Sequence, residues 1–166
     1  MIRAIVHADK EWGIGRDNDM MFTLPKDMKF FRETTSGNVV VMGGNTLRSF
    51  PNGKPLKNRV NIVLSRGQVR DDCVIVRSFD ELQAEMKKRE NEEIFVIGGG
   101  EIYKALLPYC HEALVTKVDC IGGATVFFPN LDEDGDFTLV YEGEVVDDNG
   151  YEIRFTTYKN ERVKPL

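Results

Sequence analysis

Cysteine is scarce in this sequence: Cys73, Cys110 and Cys120 are the only three among 166 residues, with no Cys-x-x-Cys spacing and no way for all of them to pair. This indicates neither a disulfide framework nor a zinc cluster, and it is the usage expected in a reducing compartment. Histidine is scarcer still, with two residues that have no ligand spacing, so no metal site is expected. No Ser-His-Asp or Cys-His set supplies a nucleophile. Long apolar runs are missing too. Nothing approaches the ~18 residues of a membrane-crossing helix. The apolar stretch in MIRAIVHADKEW is too short for a signal peptide, so a cytoplasmic protein with no membrane partner is expected. Positive charge is not in excess: 22 Lys and Arg stand against 27 Asp and Glu, interspersed, for a net charge of -5 and a pI near 5.2. A nucleic-acid binder would cluster basic groups, so a small soluble ligand is the expected partner.

What is present suits one globular domain over residues 1–166: 42% hydrophobic and 30% charged residues, with no internal repeat or low-complexity segment. Short Val- and Ile-rich runs recur at Ile2 to His7, Val39 to Met42, Val60 to Leu64, Val74 to Val76, Ile94 to Ile97 and Ala113 to Val118. They read as buried strands. Helical segments are predicted at 25–35, 44–50, 79–89 (with Ser78 and Glu81 as a capping box) and Glu101 to Leu107. This alternation predicts an α/β fold with a mostly parallel sheet covered on both faces. Two alternating runs, Phe137 to Val146 and Tyr151 to Lys159, flank the turn DDNG and predict an antiparallel C-terminal hairpin at a sheet edge.

Chemistry-bearing groups concentrate at strand ends. In MMFTLPKDMKFFRE, Pro25 marks a helix start, and spacing places Leu24, Met28 and Phe31 on one face with Asp27 between them. An acid in the first turn can complement the helix dipole for roughly 0.3 to 1 kcal/mol. It can also be a partly buried carboxylate, which is costly unless a cation or hydrogen-bond donor faces it. VIGGGEIY and VVVMGGNTLRSF each run a strand into glycines and then a helix, so that a phosphate can approach the backbone. Two such junctions in one parallel sheet suggest a dinucleotide across the strand ends. NIVLSRG ends a strand with Ser65 and Arg66, suited to a phosphate monoester. WGIGRDND reads as a lid-like loop.

In that order, WGIGRDNDMMFTLPKDMKFF, VVMGGNTLRSF, NRVNIVLSR, FVIGGGEIYKALLP and LVTKVD, followed by ATVFFP and the terminal strands, resemble dihydrofolate reductase over nearly the whole chain. The resemblance implies a single-domain fold whose central, mostly parallel sheet has eight strands, flanked by about four helices. It also implies hydride transfer from NADPH to C6 of 7,8-dihydrofolate, giving tetrahydrofolate for one-carbon metabolism and thymidylate synthesis. By resemblance, Asp27 is the catalytic acid, accepting hydrogen bonds from the pterin 2-amino group and N3. Ile5 and Ile97 present carbonyls to the pterin, Thr116 bonds the acid, and Met28, Phe31, Phe50 and Leu56 form apolar walls. Arg59 grips the glutamate α-carboxylate of folate. Around the cofactor the resemblance places His7 on the first strand, and Ile14, Gly15, Asn18 and Met20 on the lid. It adds Gly43, Gly44, Asn45 and Thr46 from the first glycine junction, Leu64, Ser65 and Arg66 from the next strand, and Ile97, Gly98, Gly99, Gly100, Glu101, Ile102 and Tyr103 from the second junction. Gly98-Gly99 matches a cis peptide.

Several positions depart from the family pattern. Met21-Phe22 replaces the usual Pro-Trp, and Phe22 brings no indole donor. Gly44 and Glu101 stand where bases are common, which leaves Arg66 nearly alone for the cofactor 2′-phosphate. His7 stands near the pterin where a small apolar residue is usual. A reductase of riboflavin synthesis shares the fold, but its substrate has no glutamyl tail, so the Asp27 and Arg59 pair favours folate. A non-catalytic nucleotide-binding module, with Asp27 purely structural, is the reading from another class. No heptad or apolar stripe suggests a partner chain, and a monomer is expected.

Overall fold

The computed structural model describes all residues except Asn18, Gln68 and Val69. The chain runs β1 (Ile2–Ala8), β2 (Gly13–Gly15), α1 (Pro25–Thr35), β3 (Val39–Gly43), α2 (Gly44–Ser49), β4 (Val60–Leu64), β5 (Val74–Val76), α3 (Phe79–Lys87), β6 (Ile94–Gly98), α4 (Gly100–Leu106), β7 (Glu112–Val118), β8 (Val126–Phe127), β9 (Phe137–Glu142), β10 (Val146–Asp148) and β11 (Tyr151–Asn160). Eight strands form one path in the order β10-β11-β7-β1-β6-β3-β4-β5. From β7 to β5 every pairing is parallel, and β11 joins β7 antiparallel. Among the described residues no helix is long and apolar enough to cross a membrane.

The strands read as unbroken apolar runs because both faces are covered. Alternate side chains go to opposite layers. Val39 and Val41 of β3, with Ile94 and Val96 of β6, pack against Leu82 and Met86 of α3 and Leu106 of α4. Val40 and Met42, with Phe95, pack on the other face with Leu47 of α2 and Phe30 and Phe31 of α1. The start of α3 follows its sequence: Ser78 Oγ accepts the Glu81 amide at 3.1 Å, while the Glu81 carboxylate reaches the Arg77 amide, one residue before the cap.

Two features differ from the sequence expectation. The first arm of the C-terminal hairpin is split, with β10 pairing β11 at Val146↔Ile153 and β9 pairing the other end of β11 at Asn160↔Phe137. The break lies at residues 143–145, where the Gly143 amide turns in to the Phe155 carbonyl at 2.8 Å and β11 carries a register shift between Thr157 and Tyr158. The loop WGIGRDND also contributes a strand, β2, which pairs with β8 in a separate two-stranded sheet. Its base is fastened by Asp9, which is buried. One carboxylate oxygen accepts the amides of Gly13 at 2.7 Å and Glu11 at 2.9 Å, and the other accepts that of Gly122 at 2.9 Å.

A methyl at Gly13 would overlap the Ala124 side chain and stand 2.9 Å from both Asp9 oxygens. Gly13→Ala should therefore lower stability by about 1–3 kcal/mol through overpacking, read as a shift in the urea midpoint. An unchanged midpoint would mean that the loop tolerates displacement.

Candidate active site

The inward stripe of α1 is Leu24, Asp27, Phe31 and Thr35, spaced three and four apart, with Asp27 only 9% exposed. This corrects the grouping of Leu24, Met28 and Phe31, since Met28 is 49% exposed beside the stripe. The helix is turned because Leu24 is drawn into a cluster with Phe22, Val118 and Ile153, and because the sheet below supplies polar partners for the acid. Thr116 Oγ1 donates to Asp27 Oδ1 at 2.7 Å. His7 Nδ1 lies 3.3 Å from Asp27 Oδ2. His7 and Thr116 are register partners on β1 and β7, so both side chains rise from one face of the sheet. The backbone is tied as well. No residue of α1 caps its own start. Asp148, at the end of β10 and 1% exposed, accepts the amides of Lys26 and Asp27 through its two oxygens, each at 3.0 Å. The Asn149 amide nitrogen donates to the Thr23 carbonyl at 3.0 Å and completes the clamp.

Beside this acid, the β3–α2 and β6–α4 junctions pack against each other, since β3 and β6 are neighbours in the sheet. Gly98 has φ +133° and is followed by a cis bond to Gly99; a side chain there would be strained and would stand 3.3 Å from Thr46 Oγ1. A Cβ at Gly43 would meet Ile102 Cγ1 at 3.3 Å, and one at Gly100 would meet Val126 of β8 at 2.7 Å. Tyr103 Oη donates to the Ile5 carbonyl at 2.8 Å. Burial, with the nearby Asp27 charge adding to it, holds this phenol well above its ordinary range, so it remains a donor.

Cationic groups flank both ends. Arg59 is half-buried, its guanidinium carbon 5.9 Å from the Phe31 ring centroid. Its Nε is buried without a hydrogen-bond partner, and it forms no ion pair among the described residues. Burial first, then repulsion from Arg32, lowers its pKa, which marks a pair of guanidinium groups without a counter-charge. At the far end, Ser65 accepts Arg77 Nη1 at its carbonyl at 3.0 Å. Arg48 Nη1 lies 3.3 Å from where a Gly44 side chain would begin, with Ser65 Oγ at 3.2 Å from the same point. Two further arginines, Arg48 and Arg77, thus stand beside Ser65, the residue that precedes Arg66 in the chain. Arg48 was within reach of a spacing argument, being four residues after Gly44 on a helix. Arg77 was not, since it depends on the Ser65 amide bonding the Val76 carbonyl at 3.0 Å.

Of the residues singled out from the sequence, Ile5, Asp27, Phe31, Phe50, Leu56, Ile97 and Thr116 lie on the α1 and α2 face of the sheet. Gly43, Gly44, Thr46, Gly98, Gly99, Gly100, Ile102 and Tyr103 form the paired junctions, while Asn45 and Glu101 are exposed at their rims. Ile14 and Gly15 belong to β2, Met20 is 57% exposed, and Leu64 ends β4. Asn18 lies outside the described residues. His7, grouped with the cofactor positions and expected near the pterin, has its ring against Asp27.

A family model described as dihydrofolate reductase matches residues 1–160. The chain belongs to the dihydrofolate reductase family. It is 36% identical over 143 residues to a dihydrofolate reductase of Haemophilus influenzae, covering 86% of this chain and 88% of that one. It is 34% identical to one of Staphylococcus haemolyticus, covering 97% and 96%. A solved structure, dihydrofolate reductase from Enterococcus faecalis complexed with NADP(H) and RAB-propyl, superimposes with a TM-score of 0.85 at 29% identity, covering 96% of each chain.

For a reductase of this family, Asp148 is a residue that sequence reasoning missed, and it acts on the acid through the backbone. Asp148→Ala should cost about 1–3 kcal/mol of stability by stranding two buried amides. It should also lower kcat/KM for dihydrofolate while the NADPH dissociation constant holds; equal losses in both would mean that the cap serves stability alone.

Proposed function

We propose that the chain, as one catalytic domain over residues 1–166, reduces 7,8-dihydrofolate to 5,6,7,8-tetrahydrofolate with NADPH. The observation that carries this is the buried Asp27 carboxylate, bonded from the sheet by Thr116 and 3.3 Å from His7 Nδ1, beside two packed glycine junctions. A carboxylate in that position accepts paired N–H donors from one edge of a flat heterocycle, as the 2-amino group and N3 of a pterin offer. Ile5 and Ile97 border the same space, and Phe31, Phe50 and Leu56 supply the apolar wall. Arg59, lacking an acid among its described neighbours, suits the substrate's α-carboxylate, where a planar fork binds better than an ammonium would.

The residues present fit NADPH. A side chain at Gly43, Gly98 or Gly100 would crowd Ile102, Thr46 or Val126, so the two junctions stay closely packed with bare backbone for a ligand to approach, and Arg48 and Arg77 stand beside Ser65, at the end where a 2′-phosphate would lie. When bound, NADPH supplies the hydride that C6 of the pterin receives. The protein's share is to hold the two rings at reacting distance and keep water out. The pairing of Asp27 with Arg59 favours folate over the ribosylated pyrimidine of riboflavin synthesis, which has no carboxylate tail. A cytoplasmic monomer with no nucleic-acid partner is the setting we propose.

Purified protein mixed with NADPH and dihydrofolate should oxidise the cofactor; oxidation no faster than background would remove the proposal. For cofactor choice, the double variant Arg48→Met, Arg77→Met should raise KM for NADPH by about tenfold or more and leave KM for NADH nearly unchanged, since charge-assisted bonds to phosphate are each worth about 1.5–3 kcal/mol. A parallel rise for both cofactors would place these arginines outside the 2′-phosphate site.

A further inference from the structure

We propose that His7 is a positioning residue for the substrate-binding carboxylate, donating from Nδ1 to Asp27 Oδ2 and thereby fixing the plane in which the acid offers its remaining lone pairs. The inference rests on the dihydrofolate reductase reading and goes beyond it by assigning His7 a task at the acid.

The torsion that turns a carboxylate about its last bond is broad and roughly two-fold, so a single hydrogen bond leaves the plane loosely set. Here the Thr116 hydroxyl holds Oδ1 at 2.7 Å, and among the described residues His7 Nδ1, at 3.3 Å, is the side-chain donor that faces Oδ2. Register places the two anchors side by side, His7 opposite Thr116 on adjacent parallel strands, so the acid is pinned at both oxygens from a rigid floor. One lone pair on each oxygen is then used by the protein, and those left over form a matched pair for two parallel N–H donors.

The surroundings point the same way. His7 is nine-tenths buried by side chain, and Asp27 is its only ion-pair partner among the described residues. Two further neighbours are uncharged: Thr116 flanks it on β7, and the Phe22 ring lies 6.2 Å away at 56°. Nε2 is enclosed and has no hydrogen-bond partner among the described residues. In a neutral imidazole, a hydrogen on Nδ1 leaves Nε2 with a lone pair, and the partner of the first nitrogen decides the tautomer. The unpartnered nitrogen is therefore an acceptor, and the donor faces the carboxylate.

Two measurements test this. In the wild-type protein labelled with 15N-histidine, NMR should show His7 with hydrogen on Nδ1, both free and with folate bound; hydrogen on Nε2 alone in both states would overturn the proposal. This result does not depend on turnover, so it separates a failure of the proposal from a failure of the reductase reading, which wild-type NADPH oxidation tests. In the second measurement, His7→Phe keeps a ring and removes both nitrogens, whereas His7→Asn returns a donor at the place of Nδ1. His7→Phe should lower kcat/KM for dihydrofolate by about tenfold or more with the NADPH dissociation constant unchanged, and His7→Asn should recover most of that loss. Equal losses in the two variants would show that His7 only fills space.

Discussion

The site depends on keeping one carboxylate inside the protein. An acid in an apolar slot is costly unless donors replace the water it loses, and Asp27 has one facing each carboxylate oxygen and a third tie at its backbone. Thr116 and His7 hold its two oxygens from the sheet, and Asp148 holds its amide from the far hairpin. Each partner is itself fixed: the first two by the parallel register of β1 and β7, the third by the antiparallel pairing of β10 and β11. The acid therefore reads out the alignment of α1, the middle of the sheet and its C-terminal edge together. Displacing any of them would move the carboxylate proposed to anchor the substrate.

Charge is arranged around that centre with a consistent logic. The chain is acidic overall, yet among the described residues Arg59 and Arg32 stand together at one end with no acid in an ion pair with them, and Arg48 and Arg77 gather beside Ser65 at the other, the two places where the proposed reading puts the anions of substrate and cofactor. Between them the glycine junctions carry almost no side-chain bulk, so a ligand can approach the strand ends closely. Polar anchors at the extremes and a narrow apolar middle set the orientation of bound rings, which for hydride transfer is most of what the protein contributes.

Much of this fold was legible in the chain because parallel strands covered on both faces leave continuous Val and Ile runs, as in VVVM and IFVI. The Ser78 cap of α3 was legible because its partners are three residues apart. Elements with long-range causes escaped. The β2–β8 pair is two or three residues long and rich in glycine, too short for periodicity to register. The α1 cap comes from a side chain over a hundred positions away, and no local pattern announces Asp148. Met28 was placed on the apolar face because helical spacing permits it; only tertiary packing, with Leu24 pulled toward Phe22 and Val118, shows that the helix is turned to put Asp27 inward. The nearness of His7 to that acid needed both a strand register and a helix rotation, and sequence supplies neither.

The claim that Asp27 is the substrate's anchor and more than a helix-start acid is tested most directly by Asp27→Asn, which keeps the volume and removes the charge. The account predicts that kcat/KM for dihydrofolate at neutral pH falls by about a hundredfold or more, while the NADPH dissociation constant changes by less than about twofold. Comparable losses in turnover and in cofactor affinity, together with a lowered melting temperature, would contradict it and make the carboxylate a structural group.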